Sequence, residues 1–152
     1  MGRTKPTVSA DYVTGLTDGE GCFFVNVWNN PAYRAGAQVQ THFHIKMQER
    51  DRRLLERVRN TLQCGEVYFQ KEVRLNHCHC YRYTVSARKD IVSKIIPFFT
   101  KHPLQSASKR VNFKLFCQIV RLLEREVHKT AEGIERVRAL KKQMNQKTVG
   151  LA

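Results

Sequence analysis

The chain has 152 residues and carries 27 Lys and Arg against 13 Asp and Glu, a formal net charge of +14. That length fits one domain with a real core. The charge predicts a polyanionic partner, nucleic acid ahead of an anionic membrane surface, with binding that weakens steeply in salt. No apolar stretch approaches the ~20 residues needed to span a bilayer, and the opening MGRTKPTVSADY lacks the apolar centre of a signal segment. The five cysteines, an odd number, point to free thiols in a reducing, intracellular compartment.

Residues 1–8 read as a loose tail. The first helix begins near Ser9 or Asp11, either of which can accept a backbone N–H bond as its cap. It runs through Val13 to Gly21, VTGLTDGEG. Gly19 and Gly21 are expected to stop it, since glycine takes a left-handed turn at no steric cost. Glu20 then sits at the helix C-terminus, where the macrodipole disfavours an anion. A cation among the carboxylate and the terminal carbonyls relieves that conflict, and such oxygen donors suit Mg²⁺ or Ca²⁺. Gly15 and Gly19, four apart, let two helix backbones approach closely. If this helix packs on a copy of itself, two Glu20 carboxylates converge, and paired acid–metal sites suit phosphodiester hydrolysis.

The period then changes from helix to strand. In CFFVNVWNN, Phe23, Val25 and Val27 fall on one face, and Cys22, Phe24, Asn26, Trp28 and Asn30 on the other. A turn-rich loop, Pro31 to Gly36, contains Tyr33 and Arg34 and leads to QVQTHFHIK. There Val39, Thr41, Phe43 and Ile45 alternate with Gln38, Gln40, His42, His44 and Lys46. Asp51 is expected to cap a helix with an apolar stripe of Leu54, Leu55, Val58 and Leu62, broken at Gly65. Two more strands run roughly Glu66–Lys71 and His79–Ser86. Val67 and Phe69 alternate with Tyr68 and Gln70, and Tyr81, Tyr83 and Val85 with Arg82 and Thr84. The loop between them, Glu72 to Cys78, is polar and holds Arg74.

Asp90 is expected to open a helix with Ile91, Ile95, Ile96, Phe98 and Phe99 toward the core, interrupted by Pro103. A long helix, about Ser106 to His128, carries Val111, Leu115, Ile119, Leu122 and Leu123. A last helix, about Glu132 to Asn145, has a thin stripe of Ile134, Val137, Leu140 and Met144. The order α-β-β-α-β-β-α-α-α defines an α+β chain. Its four strands form one antiparallel sheet with helices on one face.

The other sheet face is unusual. Ordinary solvated strands are rich in Thr, Lys and Glu, whereas this face gathers amides, imidazoles and aromatics with few carboxylates. Amides bond adenine bidentately, Arg bonds guanine, and a β-ribbon fits the major groove. Zinc is a weaker reading. Cys64 and His77-Cys78-His79-Cys80 offer soft ligands, but structural sites pair C-x₂₋₄-C with a second pair that is missing here. Asn76-His77 lacks the surrounding spacing of an HNH nuclease. His42 and His44 share a strand face and can chelate, although the amides beside them favour base or phosphate contact. No Gly-flanked serine elbow or phosphate-binding glycine loop is present, and nothing suggests an organic cofactor.

The acid-and-glycine helix, the element order and the amide-rich basic face together make the chain resemble a single-motif LAGLIDADG homing endonuclease. Val13 to Gly21 match that motif position by position, with Gly19 and Glu20 where it has Ala and Asp. The resemblance implies an αββαββα domain, from about Asp11 through the last helix of a 9–152 domain, with additional C-terminal helices. The sheet saddles double-stranded DNA. A homodimer packs its motif helices together through Tyr12, Val13, Gly15, Leu16 and Gly19 and cuts a long pseudo-palindromic site. It also implies Mg²⁺-dependent hydrolysis of both strands leaving short 3′ overhangs, with Mn²⁺ able to substitute and Ca²⁺ supporting binding without cleavage.

By the same resemblance Glu20 is the metal ligand and Gly19 adds a backbone carbonyl, while Asp18 is structural. Gln48 at the end of the second strand orients the attacking water, with Met47 as the rival for that position. Arg52 steadies the scissile phosphate, with Asp51 and Arg53 as rivals. Lys109 is the basic residue before the long helix, with Arg110 and Lys101 as alternatives. The DNA-contacting set is Phe24, Asn26, Trp28, Asn30, Tyr33, Arg34, Gln38, Gln40, His42, His44, Lys46, Tyr68, Gln70, Arg74, Arg82 and Thr84. Competing functions are an intron RNA maturase, a non-cleaving DNA-binding regulator of the same fold, or a small ribonucleoprotein component in which the motif is coincidence.

Overall fold

The computed structural model describes residues 2–144, so Met1 and the expected helix end at Asn145 lie outside the described residues. Its elements are α1 (Ala10–Glu20), β1 (Gly21–Asn29), β2 (Ala37–Gln48), a 3₁₀ turn (Glu49–Asp51), α2 (Arg52–Leu62), β3 (Glu66–Gln70) and β4 (Cys80–Val85). Then come α3 (Arg88–Asp90), a π turn (Ile91–Ile95), α4 (Ile96–Lys101), α5 (Ala107–Glu124), a second 3₁₀ turn (Val127–Lys129) and α6 (Ala131–Gln143). The four strands form one sheet in the order β1-β2-β4-β3. The fold is α+β, as the alternating periods predicted.

The chain divides into two compact units, Met1–Phe24 with His42–Gln105, and Val25–Thr41 with Ser106–Ala152. In the first, β4 lies antiparallel between β2 and β3, in a register that pairs Phe43 with Val85 and Val67 with Tyr83. Phe23, Phe43 and Phe99 meet at centroid distances of 5.2 to 5.6 Å. Leu55, Val58, Ile91 and Ile95 are fully buried in the same unit. Each such side chain stabilises the fold by about 1.5–3 kcal/mol. Leu54, expected in the α2 stripe, is only half-buried.

Three local features depart from expectation. Pro6, Thr7 and Val8 are not loose, because α2 ties them down. Val8 N–H donates to Thr61 Oγ1 at 2.9 Å, Asn60 donates to Pro6 O at 2.8 Å, and Arg57 donates to Thr7 O through two nitrogens. Asp51 sits at the start of α2 but makes no capping bond with its side chain. The helix expected from Asp90 starts at Arg88 and widens into a π turn, with Ile96 N–H reaching back to Ile91 O. Pro97 follows at once. It has no N–H to donate, and a widened turn removes the clash its ring would make in a regular helix.

In the second unit α5 packs on α6 and buries Leu115, Phe116, Ile119, Val120 and Leu123. Ser106 caps α5 by accepting Lys109 N–H, and Thr130 caps α6 by accepting Gly133 N–H. Val111 is 55% exposed in the first turns of α5 and leaves the predicted stripe. The helix also ends at Glu124, short of His128, because Glu126 takes a left-handed conformation at φ 60°. Among the described residues no helix is long and apolar enough to cross a membrane, and none of the five cysteines is in a disulfide.

Candidate nucleic-acid interface and acid-bearing helix

Ser9 caps α1, its side chain accepting Tyr12 N–H at 3.1 Å. Thr14 and Thr17 are mid-helix threonines whose hydroxyls donate to the carbonyls of Ala10 and Val13, at 3.1 and 2.7 Å. Val13, Thr14 and Thr17 are buried, whereas Tyr12, Gly15, Gly19 and Glu20 are exposed and Leu16 is half-buried. Val13 has no exposed surface, so it packs within its own chain and is removed from the expected dimer face.

The helix does not end in a left-handed turn. Gly19 is still helical, and Gly21 is extended at φ −77°, ψ 155°, so the chain passes from helix straight into strand. Gly21 is required for space instead. A Cβ there would lie 2.6 Å from Thr17 Cγ2 and 2.9 Å from Thr17 Cα. At Gly15 and Gly19 an added Cβ would meet nothing within 4 Å. These two glycines therefore leave an open strip that no other described residue fills.

Asp18 makes a contact within the fold. Its carboxylate accepts Gln105 N–H at 3.0 and 3.2 Å and ties α1 to the segment after α4. Lys101, one alternative to Lys109, lines a cleft of about 390 Å³ with Gly15, Asp18 and His102. Among the described residues no group of three or more His, Cys, Asp and Glu could hold a metal ion. The donors at the end of α1 are the exposed Glu20 carboxylate and helix-terminal carbonyls, including Gly19. Hard oxygen donors fit Mg²⁺ or Ca²⁺. One chain supplies only part of a coordination shell, so the fit requires oxygens from outside it. Among the described residues the cysteine–histidine loop likewise forms no such group of three, a poor donor set for structural zinc.

In the first unit the sheet register builds the polar face in rows. His44 lies opposite Thr84, which faces Glu66. Lys46 lies opposite Arg82, which faces Tyr68. Gln48 lies opposite Cys80, which faces Gln70. Phe24 stacks on His42 at 6.0 Å, and Tyr68 Oη and Thr84 Oγ1 share a hydrogen bond of 3.3 Å. Glu66 and Cys80 complete this face and were missed, although strand parity with Tyr68 and Arg82 marks both. The pairing of β2 with β4 continues without a bulge to Gln48. Met47 therefore falls on the opposite side with Ile45, and Gln48 is the residue on the polar face. Its Oε1 accepts Arg50 Nε–H at 3.1 Å.

Three polar atoms of this face are buried without a hydrogen-bond partner: His42 Nδ1, Gln70 Oε1 and Arg82 Nε. Burial, helped by the Arg82 charge, lowers the His42 pKa below its usual value and favours the neutral ring. Unpaired buried donors and acceptors are costly and are commonly completed by a ligand or water.

Arg52 opens α2 exposed, its Nε donating to Glu56 at 2.9 Å and its guanidinium 5.1 Å above the Tyr81 ring. These contacts orient the guanidinium; the Glu56 pair follows from i,i+4 helical spacing, whereas the Tyr81 contact comes from the sheet. Arg53 is exposed. Arg74, also expected to contact DNA, pairs with Glu72, with Nη2 at 2.9 Å from Oε2 and Nε at 3.0 Å from Oε1.

The second unit contributes its own candidates. Asn26 and Trp28 are half-buried on β1, and Gln38 and Gln40 are on β2. Asn30 Nδ2 donates to Gln38 Oε1 at 3.2 Å, and its own Oδ1 accepts Ala32 N–H at 3.1 Å, which orders the turn. Tyr33 and Arg34 stand exposed on that turn. Lys109, half-buried, lies in the first turn of α5, with Arg110 exposed beside it.

This chain belongs to the LAGLIDADG endonuclease family, whose model matches residues 13–120. It is 33% identical over 130 residues to a probable intron-encoded endonuclease of Neurospora crassa, covering 86% of this chain and 28% of that protein. It resembles the crystal structure of the homing endonuclease I-TnaI at 35% identity and a TM-score of 0.81, covering 93% of this chain and 91% of that one. Meganuclease I-SmaMI, solved bound to cleaved DNA, matches at 30% identity and a TM-score of 0.83, covering 93% of this chain and 45% of that one. Another I-SmaMI structure holds an uncleaved DNA target in the presence of calcium ions. The chain thus spans under a third of its Neurospora relative and under half of I-SmaMI.

Proposed function

We propose that this chain is a site-specific double-strand DNA endonuclease that works as a homodimer on a long pseudo-palindromic site with a divalent metal, Mg²⁺ in the first instance. The observation that carries the reading is Glu20, an exposed carboxylate at the end of α1 beside the bare strip of Gly15 and Gly19. A second copy packed along that strip, against Tyr12 and Leu16 as well, would deliver a second Glu20 and supply oxygens the single chain lacks.

Glu20 and the Gly19 carbonyl would hold the ion. A bound divalent ion lowers the pKa of its water and offsets charge on the leaving oxygen. Gln48, at the end of β2 on the polar face, orients the attacking water. Arg52, steadied by Glu56 and Tyr81, offsets charge that develops on the phosphate. Lys109 is assigned the same task on the family pattern alone. The polar residues of β1 to β4 contact the duplex, and the net charge of +14 supplies the salt-dependent part of binding.

The test is incubation with a library of duplex DNA in Mg²⁺ and then in Ca²⁺, beside Glu20→Gln. Cleavage in Mg²⁺ and binding alone in Ca²⁺ are expected, with cleavage lost in the variant. Cutting that survives Glu20→Gln would sink the mechanism. Binding without cutting at any sequence would favour a maturase or regulator. A sedimentation mass near 17.7 kDa of protein in the complex would rule out the dimer.

A further inference from the structure

The loop between β3 and β4 is organised around Glu72. Oε1 accepts the backbone N–H groups of Val73 and Arg74, at 3.1 and 3.0 Å, and also Arg74 Nε at 3.0 Å. Oε2 accepts Arg74 Nη2 at 2.9 Å. Glu72 N–H in turn donates to His79 Nδ1 across the base of the loop at 3.0 Å. The Glu72 side chain is 12% exposed and that of Arg74 is 65% exposed. The Arg74 guanidinium, and then the backbone N–H groups, hold the Glu72 carboxyl down at about 2, so the pair stays charged at any working pH. On either side of Arg74, Val73 and Leu75 are 85% and 90% exposed.

An ordinary surface ion pair contributes little and opens readily. This one is a bidentate fork whose carboxylate is already fixed by two main-chain donors and by the anchored loop base. Arg74 is therefore a cation whose charge is cancelled locally, between two bare apolar side chains. In a chain of net charge +14, an arginine that reaches the phosphate backbone adds a contact carrying no sequence information. Cancelling one at the hairpin tip lowers affinity for wrong sequences and leaves the polar sheet face to discriminate.

We propose that Glu72 tunes DNA affinity: it clamps Arg74 away from the phosphate backbone, so that the β3–β4 tip meets the duplex as a neutral, apolar element. This rests on the DNA-binding reading above. The experiment measures binding of the full chain to a scrambled duplex in Ca²⁺ across about 50 to 200 mM salt. Glu72→Gln keeps an oxygen for the two backbone donors and so keeps the loop. It is expected to tighten binding about three- to tenfold at the low-salt end and to steepen the slope of log K against log salt by about 0.9 per chain. Glu72→Gln with Arg74→Ala is expected to lose both effects. An unchanged slope in the single variant overturns the clamp. Tighter binding that persists in the double variant also overturns it, since loss of a repulsive carboxylate would then suffice. A wild-type chain that binds no duplex would instead bring down the DNA-binding reading and the clamp with it.

Discussion

Along α1, Val13, Thr14 and Thr17 lie on one side, buried, while Tyr12, Gly15, Gly19 and Glu20 lie on the other, exposed. The inner side is finished within the chain. Its threonine hydroxyls bond their own helix, and Thr17 presses against Gly21 so closely that no Cβ fits there. The outer side is unfinished, with open space over Gly15 and Gly19 and a carboxylate at its end. One helix thus serves the fold with one set of residues and the proposed site with another, and substitutions should separate stability from activity along it.

The largest expected effect is on the outer side. Glu20→Gln should lower the cleavage rate by about 10³-fold or more, the scale of removing metal or oxyanion stabilisation. The urea midpoint should stay within error of the wild type. A variant that unfolds earlier would break the comparison. Next, Gly15→Leu should abolish association by blocking close helix approach, read as loss of the dimer peak in sedimentation. The single chain should be no less stable, since Leu is the better helix former by about 0.7–1 kcal/mol. On the inner side, Gly21→Ala should destabilise by about 1–3 kcal/mol from overpacking against Thr17. That loss should appear as a lower urea midpoint with an unchanged slope. The smallest effect sharpens the comparison on β2. Gln48→Ala should lower turnover by about tenfold, at the low end for a group that assists water attack, with stability retained. Met47→Ala, on the other face, should affect stability and leave turnover near wild type. The reverse outcome would move the site by one residue.

Much of the fold was legible because two periods write it directly. The alternation Val39, Thr41, Phe43, Ile45 against Gln38, Gln40, His42, His44 predicts β2 and its polar face, and the structure extends the strand to Gln48 without a bulge. That extension settles the parity of Gln48 and Met47, which depends on whether the strand carries an extra residue. The acid and the open glycines of α1 were legible for the same reason of spacing. The extended exit at Gly21 was not, because glycine serves both positive φ and close approach, and only the nearby Thr17 side chain tells them apart. The strapping of Pro6 to Val8 depends on hydrogen-bond partners about fifty residues away on α2, which no local pattern encodes. Val111 fits a helical stripe by spacing, yet nothing packs over it closely enough to bury it.

The amino-acid order by itself determined the elements, the two sheet faces, the basic character and the family, because each follows from short-range spacing or from summed charge. Only the tertiary structure decided which polar groups remain available. Arg52 and Arg74 look alike in the sequence. Each pairs with a carboxylate, but Arg52 also lies over the Tyr81 ring at the start of α2, whereas Arg74 is gripped by both oxygens of Glu72 two residues away. Charge is counted along the chain, but it is cancelled through space, over distances of about 3 Å that depend on how the backbone turns.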